Sequence, residues 1–250
     1  MLRSVLLAFS IYSRIPVPRA DWNGENMRYA ICFLPLVGAV IGAAQGLLFF
    51  CLSGLPCGPV FRGALLTALP VIVSGGIHLD GFLDTCDAIH SYKSREERLQ
   101  ILRDPHAGAF AVLCGVVYGL LEMGVWSEAK SGTIALLCMT FVLSRSLSAW
   151  TALTFPKARK DGMLRQETDP VPAAAPAAML VTTALVCAAM LRIRLVPGLC
   201  AVAAAAVTLL YYRKMAMRDF GGITGDLSGW FTQTCELVTA LVIILAGAVF

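Results

Sequence analysis

The chain contains seven long apolar stretches, each close to the length that a helix needs to cross a lipid bilayer. About 20 apolar residues span the hydrocarbon core in helical conformation. The stretches are about Ile31–Ser53, Pro59–Ile77, Ala107–Trp126, Gly132–Trp150, Ala173–Leu191, Leu195–Tyr212 and Thr234–Phe250. We therefore predict an all-α, polytopic membrane bundle of about seven transmembrane helices (six to eight), forming one catalytic domain over residues 1–250. The fifth and sixth stretches are Ala-rich and joined by a very short link, so a fused or re-entrant pair is an alternative there.

The composition excludes several other classes of protein. Hydrophobic residues make up 58% and charged residues 14% of the chain, whereas soluble domains carry about 25% charged residues. A disordered chain, a basic nucleic-acid-binding domain and a disulfide-stapled secreted module are all excluded, and no nucleic-acid partner is expected. The nine cysteines form no CxxC pair, which indicates small buried residues rather than ligands or disulfides.

The N-terminus carries a short apolar segment, Val5–Tyr12, followed by Arg14, Pro16 and Pro18. No small-residue cleavage site of the kind that ends a signal peptide follows it. We predict an amphipathic helix at the membrane surface.

The basic residues are distributed unequally between the two sides of the predicted bundle. When successive loops are assigned to alternate sides, fifteen of the 20 Lys and Arg residues fall on one side. Short cytoplasmic loops are the ones enriched in Lys and Arg, so we place this side of the bundle, with the N-terminus, in the cytoplasm. The membrane is then predicted to be the cytoplasmic (inner) membrane. Three long segments on that side, 78–106, 151–172 and 213–233, are the candidate active-site segments.

Three aspartates, Asp80, Asp84 and Asp87, follow the second stretch. On a helix they fall within an arc of about 60°, where neighbouring like charges repel each other. Carboxylate oxygens are ligands that Mg²⁺ prefers, and the absence of a paired His/Cys set argues against zinc. We predict a magnesium site here; the alternative is a solvated helix cap.

Two further segments carry candidate residues. Asp104 precedes a proline and an apolar run, which is typical of a helix N-cap, although it is also a candidate catalytic carboxylate. The segment 220–226 contains Gly221, Gly222 and Gly225 and ends in Asp226. Glycines allow close backbone approach and present N–H groups to an anion, so we assign these glycines to phosphate binding and Asp226 to catalysis.

Three more polar residues are candidates for the same site. Arg145 lies inside the fourth stretch, where a charge is expensive unless it faces a partner or a polar cavity; a phosphate contact and a structural ion pair are the alternatives. Glu236 begins the last stretch and is a further candidate. His78 flanks the aspartates and is included as a phosphate contact, with a structural role as the simpler interpretation.

Together these residues indicate phosphoryl transfer, in which a protein mainly positions phosphates and neutralises developing charge. In this hypothesis a diphosphate bridges Mg²⁺ held by the aspartates. Arg145 and the glycines neutralise the leaving phosphate, and Asp104 or Asp226 accepts the proton of an attacking hydroxyl.

The segment 75–87 (GGIHLDGFLDTCD) resembles the GGxHLDGxxDTxDG motif of the cobalamin synthase family, the adenosylcobinamide-GDP ribazoletransferases. Four other parts of the chain resemble family segments in the same order: Ser13–Pro18, Arg98–Asp104, Ser144–Arg145, and Phe220–Asp226 with the later Glu236. The chain departs from the family pattern at Ala88, usually glycine, and at Pro105 and His106, usually Ser-Arg.

The resemblance implies a specific reaction, the last step of nucleotide-loop assembly in cobalamin biosynthesis. A ribose hydroxyl of α-ribazole, or of its 5′-phosphate, would attack the diphosphate of adenosylcobinamide-GDP and release GMP, with Mg²⁺ as cofactor. The product would be adenosylcobalamin or its 5′-phosphate. A homo-oligomer, or association with other corrinoid-assembly enzymes, is compatible with this implication.

Two other functions deserve comparison. A CDP-alcohol phosphotransferase also cleaves a diphosphate at membrane aspartates, but its pattern requires Asp-Gly-x-x-Ala-Arg, and no Ala-Arg follows Asp80-Gly81 at that spacing. A transporter is disfavoured because transporters tend to show internal repeats and ionisable groups near the bilayer midplane.

Overall fold

The computed structural model describes residues 1–18, 22 and 24–249, and this part of the chain is helical with one isolated β-bridge and no strands. Arg19, which belongs to the predicted cytoplasmic basic group, and Phe250, the predicted end of the last span, lie outside the described residues. Six helices are long and apolar enough to cross a membrane, or seven spans if one bent helix pair is counted. The predicted polytopic helical bundle is therefore confirmed.

The long helices follow the apolar stretches closely. They are α3 (Leu34–Ser53, preceded by a 3-10 turn at Ile31–Phe33), α7 (Ala109–Ser127), α8 (Ile134–Thr154), α10 (Ala175–Ile193), α11 (Leu195–Met215, continued by a π-turn at Ala216–Phe220) and α12 (Gly225–Val249). α10 and α11 are separate helices that turn at Arg194, so the fused alternative for the fifth and sixth stretches is not what forms.

The second predicted span is broken. α4 (Pro59–Ser74) and α5 (Ile77–His90) meet at a bend of 98°. The two residues between them, Gly75 and Gly76, have φ angles of +70° and +79°, a left-handed conformation that favours glycine and ends a helix. The prediction of one span over Pro59–Ile77 was therefore wrong at its end, and α5 carries the three aspartates in a new direction.

The last helix begins nine residues before the predicted start at Thr234. Its first turns contain polar residues that lowered the apparent hydrophobicity, yet Ser228, Thr232 and Gln233 are buried. These side chains pack against other helices rather than facing lipid, so a polar sequence is compatible with a helix inside the bundle.

Four short helices contact the ends of the long ones: α1 (Leu2–Tyr12), α2 (Gly24–Met27), α6 (Arg95–Ile101) and α9 (Met163–Thr168). α1 buries one stripe, Ser4, Leu7, Ala8, Ile11 and Tyr12, and it contacts α3. This stripe has the period of an amphipathic helix, which confirms the predicted amphipathic helix; its place at the membrane surface stays a prediction.

α8 forms the centre of the bundle, because it is the most buried of the long helices and contacts α3, α10 and α12. On α3, Gly38 and Gly42 face the α8 carbonyls of Phe141 and Cys138 so closely that an added Cβ would clash with them. Small residues at such a crossing let two helices approach within the membrane. All nine cysteines are unpaired.

Candidate active site

A cavity of about 230 Å³ lies where the C-terminal part of α8 meets the first turns of α5 and α12 and the segment 157–167. Its acidic lining residues are Asp80, Asp161, Glu167 and Asp226, and its basic lining residues are Lys157, Arg159 and Arg165. The cavity takes residues from all three segments that the sequence nominated, together with Tyr12 from α1 and Ile31 and Leu34 at the start of α3. It is the candidate active site.

A close crossing of α5 and α12 brings two of the acidic residues together. A Cβ added at Gly81 would lie 2.7 Å from the Asp226 carbonyl oxygen, and one added at Gly229 would lie 2.8 Å from the His78 carbonyl oxygen. Only glycine fits at both contacts, so the backbones of the two helices approach closely. Asp80 and Asp226 consequently line the same cavity.

The carboxylates form a cluster centred on Asp84. The charges of Asp80, Asp226, Asp87 and Asp104 all act on its carboxyl group. Within residues 1–18, 22 and 24–249, neither Asp80 nor Asp84 has a hydrogen-bond or ion-pair partner for its carboxylate. In the same ranges, no three His, Cys, Asp or Glu side chains are placed to hold one metal ion by themselves. The cluster has the ligand chemistry that a hard cation requires, but a protein-only site with three ligands is not formed.

Asp87 has a second task that its position on α5 did not reveal. Its carboxylate accepts hydrogen bonds from the backbone N–H groups of Gly108 (2.5 Å) and Ala111 (2.9 Å) at the start of α7. Asp87 therefore caps a neighbouring helix. A helix cap was the alternative to a magnesium site at the three aspartates, but the helix that Asp87 caps is α7, not its own helix α5.

Asp104 is not the N-cap of α7, which begins at Ala109. Its carboxylate instead accepts hydrogen bonds from the backbone N–H of His106 (3.0 Å) and from the His106 ring at Nδ1 (2.7 Å), both exposed. These bonds lower the pKa of Asp104. Asp104 does not line the cavity. Its negative charge acts on the Asp84 carboxyl group, and this is its link to the cluster.

Three consecutive N–H groups of the glycine-rich segment before α12 are engaged within the protein and not offered to an anion. Those of Gly221 and Gly222 donate to the Ala216 carbonyl. The next N–H, that of Ile223, donates to the Pro156 carbonyl at 2.8 Å. The assignment of Gly221 and Gly222 to phosphate binding is therefore corrected, because their donors are already engaged; Gly225 lines the cavity, with open space beside it.

The glycines instead fix the position of a cationic loop. A Cβ at Gly222 would lie 2.5 Å from the Ala158 backbone nitrogen, and Ala158 N–H donates to the Ile223 carbonyl at 2.9 Å. The two segments thus pair as a short bridge, Lys157 with Ile223. The bridge holds Lys157 and Arg159 in the wall of the cavity.

Lys157, Arg159 and Arg165 are functional candidates that the sequence reasoning did not single out. Arg159 donates from Nη2 to the Leu99 carbonyl at 2.6 Å, and Arg165 donates from Nε to the Arg159 carbonyl at 3.0 Å. Burial lowers the pKa of Lys157 and Arg159, while Asp226 acts on Arg159 in the opposite sense. The sequence feature that could have identified them is the clustering of basic residues over 157–165, in a chain in which only 14% of residues are charged.

Arg145 is buried inside the bundle, with 1% of its surface exposed. Its Nη1 donates to Glu236 Oε1 and to the Phe141 carbonyl, and Ser144 donates to the same Glu236 oxygen at 2.7 Å. Neither Arg145 nor Glu236 lines the cavity. The predicted phosphate contact of Arg145 is therefore corrected to a structural ion pair, and Glu236 is its partner rather than a site residue.

His78 lies in the cavity wall beside a pair of residues from distant parts of the chain. The His78 ring stacks on Tyr12 with ring centroids 6.0 Å apart, and its Nε2 has no hydrogen-bond partner in the described part of the chain. Tyr12 in turn donates to Glu167 Oε2 at 2.9 Å. Tyr12 and Glu167 are 155 residues apart in sequence, and no local pattern connects them.

Comparison with known proteins gives one consistent result. The family model described as cobalamin-5-phosphate synthase matches residues 4–244. The chain is 39% identical over 249 residues to a protein of Lachnoclostridium phytofermentans named adenosylcobinamide-GDP ribazoletransferase, covering 99% of this chain and 95% of that one. Relatives with the same name occur in Geobacillus kaustophilus (33% identity, 93% and 92% covered) and Desulfitobacterium hafniense (30% identity, 96% of each covered). No solved structure matches.

Proposed function

The chain belongs to the cobalamin-5-phosphate synthase family, and from that premise we propose that it is an adenosylcobinamide-GDP ribazoletransferase. It transfers the adenosylcobinamide-phosphate group of adenosylcobinamide-GDP to α-ribazole or its 5′-phosphate and releases GMP. The observation that carries the proposal is one cavity lined by two members of the carboxylate cluster, Asp80 and Asp226, together with three cations, while Asp84 lies next to it in the cluster. Such a cavity suits a diphosphate, whose transfer depends on positioning and on neutralising charge.

Mg²⁺ is the proposed cofactor, and Asp80, Asp84 and Asp87 are the residues that would hold it. Mg²⁺ commonly binds one or two protein carboxylates and completes its shell with water and substrate phosphate oxygens, so three protein ligands in place are not required. The ion would neutralise charge on the diphosphate. Asp87 supports the cluster by fixing α7, and its oxygens keep lone pairs beyond the two hydrogen bonds that they accept.

The leaving phosphate is assigned to the cations of the cavity wall. Lys157, Arg159 and Arg165 take the role that we predicted for Arg145 and for the glycine N–H groups. Arginine presents a planar fork of donors that matches phosphate oxygens. Asp226 is the proposed catalytic carboxylate at the diphosphate, because it lines the cavity and the charges of both Asp80 and Arg159 act on it. Asp104 contributes its negative charge from outside the cavity.

We place the cavity on the cytoplasmic side of the inner membrane. One observation supports this: the cavity is lined by the segments that are rich in Lys and Arg, and short loops of that composition stay in the cytoplasm. The amphipathic helix α1, which contributes Tyr12 to the lining, would then lie at the inner membrane surface. Large substrates made in the cytoplasm would reach the cavity from that side.

The experiment is an assay of purified protein in detergent or nanodiscs with adenosylcobinamide-GDP, α-ribazole or its 5′-phosphate, and Mg²⁺. The expected result is stoichiometric formation of GMP and of the cobalamin product, lost on chelation and restored by Mg²⁺. Turnover of a CDP-alcohol, or no GMP with either acceptor, would overturn the proposal. Because the assay needs no second compartment, activity in detergent also excludes a purely transporting role.

A further inference from the structure

The lining residues of the cavity fall into two chemical groups, which we call its charged end and its apolar end. The charged end is formed by α5, α12 and the loop around Arg159. The other end comprises Tyr12 of α1, Ile31 and Leu34 at the start of α3, and Glu167 of α9, whereas Arg165 of α9 belongs to the charged end. Three of these residues are apolar or aromatic, so this end suits a different part of a substrate from the diphosphate.

The surroundings of Glu167 differ from those of the carboxylate cluster. The influences on its carboxyl group are burial and the hydrogen bond from Tyr12. By contrast, the charges of Asp80 and Arg159 both act on the Asp226 carboxyl group, and Asp226 acts on Arg159. Glu167 therefore does not belong to the carboxylate cluster, and it is not needed to balance the cations of the cavity wall.

The Glu167 carboxyl group can also accept a further hydrogen bond from the cavity. It is buried, with 5% of the residue's surface exposed, and Tyr12 supplies its one hydrogen bond among the described residues, at Oε2. A carboxylate accepts several hydrogen bonds, and burying one without donors is costly. Because Glu167 lines the cavity, a donor on a bound molecule can complete its hydrogen bonding.

The neighbours of Glu167 define what that molecule looks like. Tyr12 and His78 form a stacked aromatic pair in the wall, and Ile31, Leu34 and Leu164 line the same cavity. A flat, uncharged aromatic ring packs well against such a surface. A carboxylate next to it is a familiar partner for sugar hydroxyl groups, as in nucleotide sites where an acidic residue binds a ribose hydroxyl.

We propose that this end of the cavity is the binding site for the acceptor nucleoside, with Glu167 accepting a hydrogen bond from a ribose hydroxyl. Ile31, Leu34 and Leu164 hold the aromatic base, and Tyr12 is a positioning residue that orients the Glu167 carboxylate. The inference rests on the proposed function, because that function supplies a nucleoside with an apolar base as the second substrate. It assigns to the acceptor a subsite separate from the diphosphate.

The test measures KM for each substrate in Glu167→Gln, which keeps the size of the side chain and removes its charge. A hydrogen bond to a charged group is worth a factor of about 10 to 100 in binding. We expect the acceptor KM to rise by that factor, while the donor KM and kcat at saturating acceptor stay within about twofold. Tyr12→Phe is expected to raise the acceptor KM by a smaller factor.

Glu122→Gln is the matched control. Glu122 is also buried and also accepts one hydrogen bond from an aromatic side chain, Trp126 Nε1 at 2.9 Å, but it does not line the cavity. Its variant should leave the acceptor KM unchanged. A general effect of removing a buried carboxylate would appear in both variants, whereas loss of an acceptor contact appears only in Glu167→Gln.

A second measurement identifies the contact itself. Ribazole analogues that each lack one ribose hydroxyl are assayed with the wild type and with Glu167→Gln. One analogue should bind more weakly to the wild type but should lose no further affinity in the variant, which a structural role for Glu167 would not produce. If Glu167→Gln does not fold, Leu164→Trp, which fills the apolar end, replaces it and should raise the acceptor KM alone.

Two results would overturn the inference. One is an unchanged acceptor KM in folded Glu167→Gln, or in Leu164→Trp if that variant has replaced it, and the other is an equal rise of both KM values. Either result leaves wild-type GMP release intact, so the proposed function survives it. Failure of the proposed function is recognised separately, because the wild type would then release no GMP with this substrate pair.

Discussion

The ion pair between Arg145 and Glu236 gives the sharpest test of the corrected site, because the sequence and the structure assign Arg145 different tasks. We consider Arg145→Met, which keeps an unbranched side chain of similar length but removes the charge. In the structure Glu236 would keep only the hydrogen bond from Ser144. The variant thus leaves an unpaired carboxylate inside the bundle.

The expected magnitude follows from the burial of both partners. Arg145 and Glu236 have 1% and 6% of their side-chain surfaces exposed. Breaking such a pair by removing one partner destabilises a protein by about 3–5 kcal/mol, whereas replacing both partners with apolar residues is often neutral. We therefore expect Arg145→Met to lower the free energy of unfolding by about 3 kcal/mol or more, and Arg145→Met/Glu236→Leu to recover most of it. Arg145→Lys should fall between, because an ammonium cannot reproduce the guanidinium fork.

The assay combines reversible unfolding in mixed micelles with steady-state kinetics on the same preparations. If the pair is structural, stability falls in the single variant and returns in the double variant, and the donor KM of the folded fraction stays unchanged. A large rise in donor KM at unchanged stability would refute this reasoning. Such a result would return Arg145 to the phosphate contact that its position in the sequence suggested.

Three further predictions concern other parts of the molecule. Asp84→Ala should abolish Mg²⁺-dependent turnover while the protein still inserts and purifies normally, as measured by Mg²⁺ titration; full activity at saturating Mg²⁺ would remove the carboxylate cluster from the mechanism. Burial raises the pKa of Glu167 from 4.5 to about 7, so its contribution to stability is fully present below pH 4.5 and is lost as pH rises through 7. That contribution is up to roughly 3 kcal/mol, and thermal unfolding against pH should show it in the wild type but not in Glu167→Gln. Gly81→Ala should lower stability by about 1–3 kcal/mol and reduce activity, because its Cβ would lie 2.7 Å from the Asp226 carbonyl oxygen, whereas Gly119→Ala, which meets nothing within 4 Å, should do neither.

The number and positions of the long helices could be predicted because membrane insertion depends on a local property, the length of an apolar stretch. The errors occurred where another factor decided the helix ends. Gly75 and Gly76 break the second span because both adopt a left-handed conformation, although the stretch remains apolar across them. The start of α12 was missed because polar residues such as Ser228 and Gln233 are buried between helices, where their polarity does not prevent membrane insertion.

The candidate site was predictable to the extent that it is local. Asp80 and Asp84 lie on one face of α5 because they are four residues apart on a helix. Asp226 could be identified as a candidate because it follows a glycine-rich segment. The partner of a charged residue, however, depends on tertiary structure. Arg145 pairs with Glu236 from α12, and Tyr12 pairs with Glu167, so neither relationship could be derived from spacing along the chain.

The glycines do make close backbone contacts, as predicted, but with other segments of the protein rather than with a bound phosphate. Glycine was selected as a residue that lets a backbone approach a ligand, and the structure uses the same freedom for contact between two protein backbones. Gly81 brings Asp226 to α5, and Gly222 brings the Lys157–Arg159 loop to the start of α12. Each contact places one charged side chain of the cavity relative to another. The distance between the carboxylates and the cations is thus set by glycine contacts at which even a methyl group would clash, and we expect substitution at these glycines to damage catalysis without removing a single charge.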